Sequence, residues 1–138
     1  ATGEPEIKKF ILLDTAKNDL TQQILTNKGY AFFWFVREFD KANMANVDKL
    51  RQLASKAAAL KIPFYALCSA DVESSEAFLK QWTLTDMTLM SLDYTASKTA
   101  MRSNPGLMLI NTGVVDKKWS YRDYPSDMSL DNGTLNLK

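Results

Sequence analysis

The hydrophobic residues of this chain form unbroken runs, separated by stretches in which they recur every three or four positions. The run Tyr30–Val36 is aromatic or aliphatic at every position and has no polar residue that would mark a solvent face. A strand that is covered on both faces of a sheet has this pattern. The run therefore predicts the central strand of a sheet, and the shorter runs at residues 10–13 and 64–68 predict two more strands.

Helical spacing fills the stretches between these runs. Residues 20–25 show it, between Asp14 or Thr15, which can cap a helix, and Gly29, which favours its end. Residues 44–61 show it again and predict the longest helix. A strand, a helix and a strand in this order predict a βαβ unit with two parallel strands.

The second half of the chain predicts a further helix, an extended segment and a hairpin. Asp71 can cap a helix over residues 72–82. Residues 87–92 predict an extended segment, and residues 95–102 predict one or two helical turns. Two apolar runs on either side of a glycine-bearing turn then predict a β-hairpin at residues 107–119.

The length predicts a single domain. A chain of 138 residues, 46% of them hydrophobic, fills one core and is too short for two ordinary domains. We divide it into a lead-in at residues 1–9, a domain at residues 10–124 and a C-terminal extension of the same domain at residues 125–138. Within the extension, residues 125–127 favour the start of a short helix, and residues 131–134 predict a turn.

Composition narrows the classes of function. The 17 basic and 16 acidic side chains give a formal net charge of +1, without a long block of either sign, so no nucleic-acid partner is expected. One cysteine and no histidine exclude an intrachain disulfide, a Cys/His zinc site and a histidine-based triad. We expect neither a metal nor a cofactor.

The chain as given is expected to be soluble. Its longest apolar run, residues 31–36, is far shorter than the roughly 20 residues that cross a bilayer. The sequence opens at Ala1, which is expected either of a processed piece of a longer protein or of plain methionine removal.

Three features together carry a resemblance to a known superfamily. The run Phe32-Phe33-Trp34 resembles the strand that leads into the active site of thioredoxin-like proteins of the thiol-disulfide reductase and peroxiredoxin groups. The step Asn104-Pro105 resembles their proline loop, and residues 107–119 resemble their final hairpin. The resemblance covers residues 10–123. It implies an α/β fold with a central mixed β-sheet flanked by helices, and a cis peptide bond in the proline loop.

A narrower resemblance lies around the proline loop. The sequences KTAMRSNPGLML at residues 98–109 and KWSYRDYP at residues 118–125 are similar to the thioredoxin-like domain of some bacterial DoxX-family membrane proteins. This resemblance implies that the chain is the soluble part of a longer membrane protein. It would then be membrane-associated through a segment outside the given sequence, on an unspecified side of the membrane.

The cysteines that make such a fold a redox enzyme are absent. A reactive thiolate belongs at the start of the helix after the central strand, and residues 37–44 hold no cysteine. The polar residues there have a structural explanation, in which Asp40 or Asn43 caps the helix and Glu38 favours its positive end. Cys68 ends a predicted strand where open α/β sheets place ligands, but a lone cysteine in an apolar strand is more often a core residue.

The proline loop suggests a function that needs no thiol. In thioredoxin-like proteins the backbone of the residue before the proline, here Asn104, pairs with an extended substrate segment, and this surface can survive the loss of the cysteines. One hypothesis is a redox-inactive binding or accessory domain for a protein or peptide partner, such as its own membrane part. The residues of this candidate groove are Arg37, Glu38, Asp40, Lys41, Asn104 and Pro105.

Two alternatives remain open. In the first and simpler alternative, Pro105 only shapes the loop and has no part in binding. The competing class is an enzyme, either a diverged thiol oxidoreductase or peroxiredoxin-like protein that uses Cys68 or a bound cofactor, or a site without cysteine around Glu38 and Asp40. An enzyme predicts a reactive thiol or a carboxylate with a shifted pKa in a cleft, whereas a binding module predicts an unreactive thiol and an apolar patch large enough for a partner.

Overall fold

The computed structural model describes residues 11–138. The predicted lead-in at residues 1–9 lies outside the described residues, and so does Phe10, the first residue of the first predicted strand. Within residues 11–138 the chain forms four helices and seven strands.

A five-stranded sheet forms the centre of the structure. Its strands are β1 (Tyr30–Val36), β2 (Phe64–Cys68), β3 (Thr88–Ser91), β4 (Gly106–Asn111) and β5 (Val114–Ser120). Their order in the sheet is β3-β2-β1-β4-β5. Because β1 pairs with β2 in parallel and with β4 antiparallel, the sheet is mixed. The predictions of β1 as the central strand and of β2 as its parallel neighbour are confirmed.

Four helices accompany this sheet in the described part of the chain: α1 (Thr21–Leu25), α2 (Val47–Ala59), α3 (Val72–Gln81) and α4 (Tyr94–Ala100). Helix α2 is the longest of them, as predicted. The predicted cap of α3 is also confirmed, since the carboxylate of Asp71 accepts a hydrogen bond from the N–H of Ser74 at 2.9 Å.

The side chains of β1 divide the core into two layers, because successive strand residues point to opposite faces of a sheet. Phe32 and Trp34 pack with residues of α2 and α3 on one face. Phe33 and Phe35 pack with residues of α1 and α4 on the other. All four rings have no solvent exposure. Helices therefore flank both faces of the sheet, which is why β1 has no polar position.

The segment ahead of α1 differs from the prediction. Leu13 makes isolated bridges to Asp19 and Ser91, and no strand forms over residues 11–13. The carboxylate of Asp14 does not cap a helix, because it accepts the N–H of Asn18 at 2.8 Å and closes a turn. The predicted short helix forms as α1, which begins at Thr21 after this turn.

The C-terminal extension is a hairpin, β6 (Met128–Asp131) with β7 (Thr134–Leu137), and the prediction of a helix starting at Pro125 is wrong. The two residues between the strands, Asn132 and Gly133, have φ of 52° and 79°. Asparagine and glycine tolerate this left-handed backbone better than other residues, and it matches the twist of a hairpin. The predicted turn is confirmed.

Buried contacts attach this extension to the centre of the sheet. Met128 and Leu135 lie in the core layer that also holds the buried side of α2. The N–H of Leu135 donates to the hydroxyl of Tyr30 at 3.2 Å. Just before the hairpin, the buried hydroxyl of Tyr124 accepts a hydrogen bond from the indole N–H of Trp34 at 2.9 Å. The extension thus packs against the same core as the rest of the domain.

Replacing Tyr124 with phenylalanine is expected to lower the free energy of unfolding by about 1–3 kcal/mol, because the indole N–H of Trp34 is left buried without its acceptor. Urea unfolding followed by circular dichroism measures this change. Tyr65→Phe is the matched control, because the half-buried hydroxyl of Tyr65 makes no hydrogen bond with any residue of the described range. Its expected effect is within about 0.5 kcal/mol, and equal losses in the two variants would contradict the prediction.

Candidate functional site

The pairing of β1 with β4 brings two loops to one edge of the sheet. Phe35 lies opposite Gly106 in the antiparallel register. The loop that follows β1, residues 37–46, therefore lies beside residues 101–105, which lead into β4. The peptide bond between Asn104 and Pro105 is cis. Four of the six predicted groove residues meet at this edge because the two strands are neighbours.

Asn104 fastens the two loops together with its side chain. Its amide oxygen accepts the N–H of Arg37 at 3.1 Å, and a longer contact of 3.5 Å joins the same oxygen to the N–H of Glu38. Its amide nitrogen donates to the carbonyl of Glu38 at 2.9 Å. The side chain therefore satisfies backbone groups that the end of β1 leaves unpaired, as buried backbone groups require.

The backbone of Asn104 takes part as well. Its carbonyl oxygen accepts a hydrogen bond from the N–H of Asn43 at 3.2 Å. Its own N–H makes no hydrogen bond with any residue in the range 11–138. One of the two backbone groups that an extended segment would use is therefore occupied by this chain, and the other is not.

Arg37 secures the end of α4 to the same edge. Its guanidinium donates to the carbonyls of Met101 and Arg102, both at 2.8 Å. Both carbonyls belong to residues that follow Ala100, the last residue of α4, and the guanidinium makes charge-assisted hydrogen bonds to them. Arg37 thus holds the chain that leads into the proline loop.

Glu38 joins this edge to α4 through charge and a hydrogen bond. One carboxylate oxygen accepts from the hydroxyl of Tyr94 at 2.9 Å, and the other lies 3.6 Å from the ammonium of Lys41. The hydrogen bond from Tyr94 lowers the pKa of Glu38, and the charge of Lys41 lowers it further. A carboxylate of this kind stays ionised and is unsuited to general-acid catalysis.

The loop after β1 does not cap the helix in the predicted way. Helix α2 begins at Val47, preceded by Asn46, which makes no capping hydrogen bond with its side chain. The prediction that Asp40 or Asn43 caps this helix is wrong, because a turn inserted after Phe39 delays the start of the helix. The amide oxygen of Asn43 accepts the next-but-one N–H in the loop instead.

Cys68 lies in the core at the end of β2, with no solvent exposure. Burial raises the pKa of its thiol to about 12, against a smaller opposing effect of a hydrogen bond with Ser75. The thiolate is the nucleophilic form of cysteine. At neutral pH this thiol is therefore protonated and inaccessible, which disfavours an enzyme that acts through Cys68.

Some of the predicted site residues contact one another, and others do not. Arg37, Glu38 and Asn104 contact one another directly, and Pro105 is buried next to them. The side chain of Lys41 is 71% exposed. Asp40 is exposed and makes no hydrogen bond or ion pair with the residues that the structure describes.

Sequence reasoning missed Tyr94 altogether and gave Asn43 a different role. The contact of Tyr94 with Glu38 spans 56 positions of the chain, so no local pattern marks it. The hydrogen bond of Asn43 to Asn104 comes from its backbone, and a backbone contact leaves no signature in residue type.

The residues in the range 11–138 also bear on metal binding and on membrane insertion. No group of three or more histidine, cysteine, aspartate or glutamate side chains in this range is placed to hold a metal ion. None of the helices in the same range is long and apolar enough to cross a membrane.

Comparison with known proteins identifies the fold. No protein-family profile and no curated protein sequence matches the chain. Among solved structures, the C-terminal domain of a putative thiol-disulfide oxidoreductase from Bacteroides thetaiotaomicron superposes with a TM-score of 0.62 at 14% identity, over 86% of this chain and 88% of that one. A secreted disulfide oxidoreductase of Mycobacterium tuberculosis superposes with a TM-score of 0.59 at 16% identity, over 81% and 82% of the two chains.

A putative thioredoxin from Neisseria meningitidis is similar to the same degree, with a TM-score of 0.59 and 17% identity over 85% of this chain and 81% of that one. Together with the mixed sheet flanked by helices, these similarities confirm the predicted thioredoxin-like fold. At such low identity they show the fold alone, and the function has to be argued from the site.

The thiol of Cys68 is expected to be inert in the folded protein. At pH 8, iodoacetamide is expected to modify it at least about 100-fold more slowly than in the urea-unfolded chain, because burial suppresses the thiolate and blocks access. Mass spectrometry of the intact protein over time gives both rates. Equal rates in the folded and unfolded protein would show that the thiol is available for chemistry.

Proposed function

We propose that this chain is a thioredoxin-fold domain that has no thiol chemistry and functions by binding a protein or peptide segment. The binding surface is the groove formed by residues 37–41 and 103–105. One observation carries this proposal: the loop after β1 holds no cysteine and is joined to the proline loop by the side chain of Asn104. The region that would hold a thiol pair is thus built as a polar junction between two loops.

The groove suits recognition through the backbone. The N–H of Asn104 has no partner among the described residues and is available to pair with the carbonyl of an extended segment. Arg37 holds the chain ahead of the proline loop in place, so little ordering is needed when a partner binds. Lys41 and Asp40 are exposed at the rim, where charges govern partner selection and association rate more than affinity.

The proposed setting is attachment to a DoxX-like membrane protein, on the resemblance of residues 98–109 and 118–125. In that setting the partner of the groove is a segment of the membrane part itself or of a neighbouring protein. The domain then serves contact or assembly and carries no redox step of its own.

The competing proposal is a diverged oxidoreductase or peroxiredoxin-like enzyme. Its thiol form requires Cys68 to reach solvent and ionise, and both are opposed by full burial and by a pKa raised to about 12. Its form without cysteine requires a carboxylate that exchanges protons near neutral pH, and the hydrogen bond from Tyr94 shifts the pKa of Glu38 in the opposite direction.

Selection of peptides on the immobilised domain tests the groove. Decapeptides selected from a random phage-displayed library are expected to bind at least about fivefold more weakly to Pro105→Ala, because Pro105 shapes the loop that presents the backbone of Asn104. Pro63→Ala is the matched control, since Pro63 precedes β2 and lies outside the groove. Circular dichroism confirms that both variants are folded. Unchanged affinity in a folded Pro105→Ala variant would contradict the groove.

Cell fractionation tests the proposed setting. With an antibody against this domain, the native protein is expected in the membrane fraction at an apparent mass well above the 15.6 kDa of the given chain. A soluble species of about this mass would overturn the attachment and leave a free-standing adaptor.

A further inference from the structure

The loop after β1 forms one side of the proposed groove, and it also makes a hydrogen bond with one of the backbone groups that a bound peptide would use. An added strand pairs through both the N–H and the carbonyl of a residue that faces it. In Asn104 the carbonyl is taken by the N–H of Asn43 at 3.2 Å, whereas the N–H has no partner among the described residues. An extended peptide therefore meets one free group and one group that is already bonded within the chain.

The segment that makes this bond is a compact turn, residues 39–43, which we call the cover turn. The N–H of Ala42 donates to the carbonyl of Phe39 at 3.3 Å and closes it. The ring of Phe39 stacks on that of Phe78 in α3, with centroids 4.2 Å apart and planes 12° apart. Between these contacts Asp40 and Lys41 are exposed.

Few contacts thus hold the cover turn down. They are the partly buried packing of Phe39 and Ala42 against the core, the ring contact of Phe39 with Phe78, the backbone hydrogen bond of Asn43 and the ion pair of Lys41 with Glu38. Hydrogen bonds at partly exposed positions contribute little each, and segments with few buried contacts open locally far more often than the whole domain unfolds. The remaining contacts of the site, made by the side chains of Arg37 and Asn104, involve no residue of the turn.

We propose that the cover turn is an intramolecular competitor that regulates the groove. In the closed state the N–H of Asn43 occupies the acceptor on Asn104. In the open state the backbone N–H of an extended peptide replaces it, and the peptide carbonyl pairs with the N–H of Asn104. The inference rests on the proposed function of the groove, and it adds that the measured affinity is the intrinsic one reduced by the fraction of molecules that are open.

Two substitutions at one position separate this competition from a structural role. Asn43→Pro removes the competing N–H, whereas Asn43→Ala keeps it and serves as the matched control, because both variants lose the side-chain bond to Ala45. Decapeptides selected from a phage library on the Asn43→Pro protein are the probes. They are expected to bind Asn43→Pro about two- to tenfold more tightly than Asn43→Ala, the range that one net hydrogen bond spans. Equal or weaker binding to a folded Asn43→Pro variant would overturn the proposal.

Amide hydrogen exchange on the unmodified chain provides a second measurement, which does not depend on how the proline is tolerated. In the free protein the N–H of Asn43 is expected to be protected and that of Asn104 to exchange faster. Saturation with a selected peptide is expected to reverse the two. Continued protection of Asn43 in the peptide complex would overturn the competition.

The outcomes distinguish this inference from the function on which it rests. Binding that depends on Pro105, with Asn43 still protected in the complex, would leave the groove intact and refute the cover turn. Binding that is about two- to tenfold tighter to Asn43→Pro than to Asn43→Ala, with loss of Asn43 protection in the complex, would support both. If no peptide from the library binds either protein at the groove, the proposed function fails and the regulatory role fails with it.

Discussion

The antiparallel pairing of β1 with β4 is the constraint on which this structure depends. It buries a strand that is apolar at every position, and it fixes the ends of that strand against the start of β4, with Phe35 opposite Gly106. This register places the two loops of the candidate site side by side at that edge. The core and the site therefore have one origin, because the register that fills both faces of the sheet also sets which loop residues can touch.

At this edge, side chains form hydrogen bonds with backbone groups that have no partner in the sheet or in a helix. Asn104 pairs with backbone groups just past the end of β1, and Arg37 pairs with the carbonyls that follow α4. The two side chains cross in opposite directions between the same two loops. Each satisfies groups that would otherwise lose water without compensation. Such a junction fixes the two loops relative to each other, which lowers the ordering cost of binding at this edge.

The pKa shifts of Cys68 and Glu38 also favour binding over catalysis at this edge. Burial raises the pKa of Cys68 to about 12 and keeps the thiol neutral, while the hydrogen bond from Tyr94 lowers the pKa of Glu38 and keeps the carboxylate charged. A nucleophile needs the opposite of the first shift, and a general acid needs the opposite of the second. A fold that many oxidoreductases share is compatible with a different use here, because function belongs to the site and not to the fold.

The sequence by itself determined the sheet, its central strand, the parallel partner of that strand, the longest helix and the hairpin turn at Asn132, because unbroken apolar runs, helical periodicity and turn residues are local signals. It also determined that the given chain has no intrachain disulfide and no histidine-based site. Only the tertiary structure decided that the side chain of Asn104 forms hydrogen bonds with the backbone of Arg37 and Glu38. It also decided that Tyr94 donates a hydrogen bond to Glu38, and that the N–H of Asn43 donates one to the carbonyl of Asn104. These contacts join residues far apart in the chain, and several use backbone atoms that every residue type shares, so no local pattern encodes them.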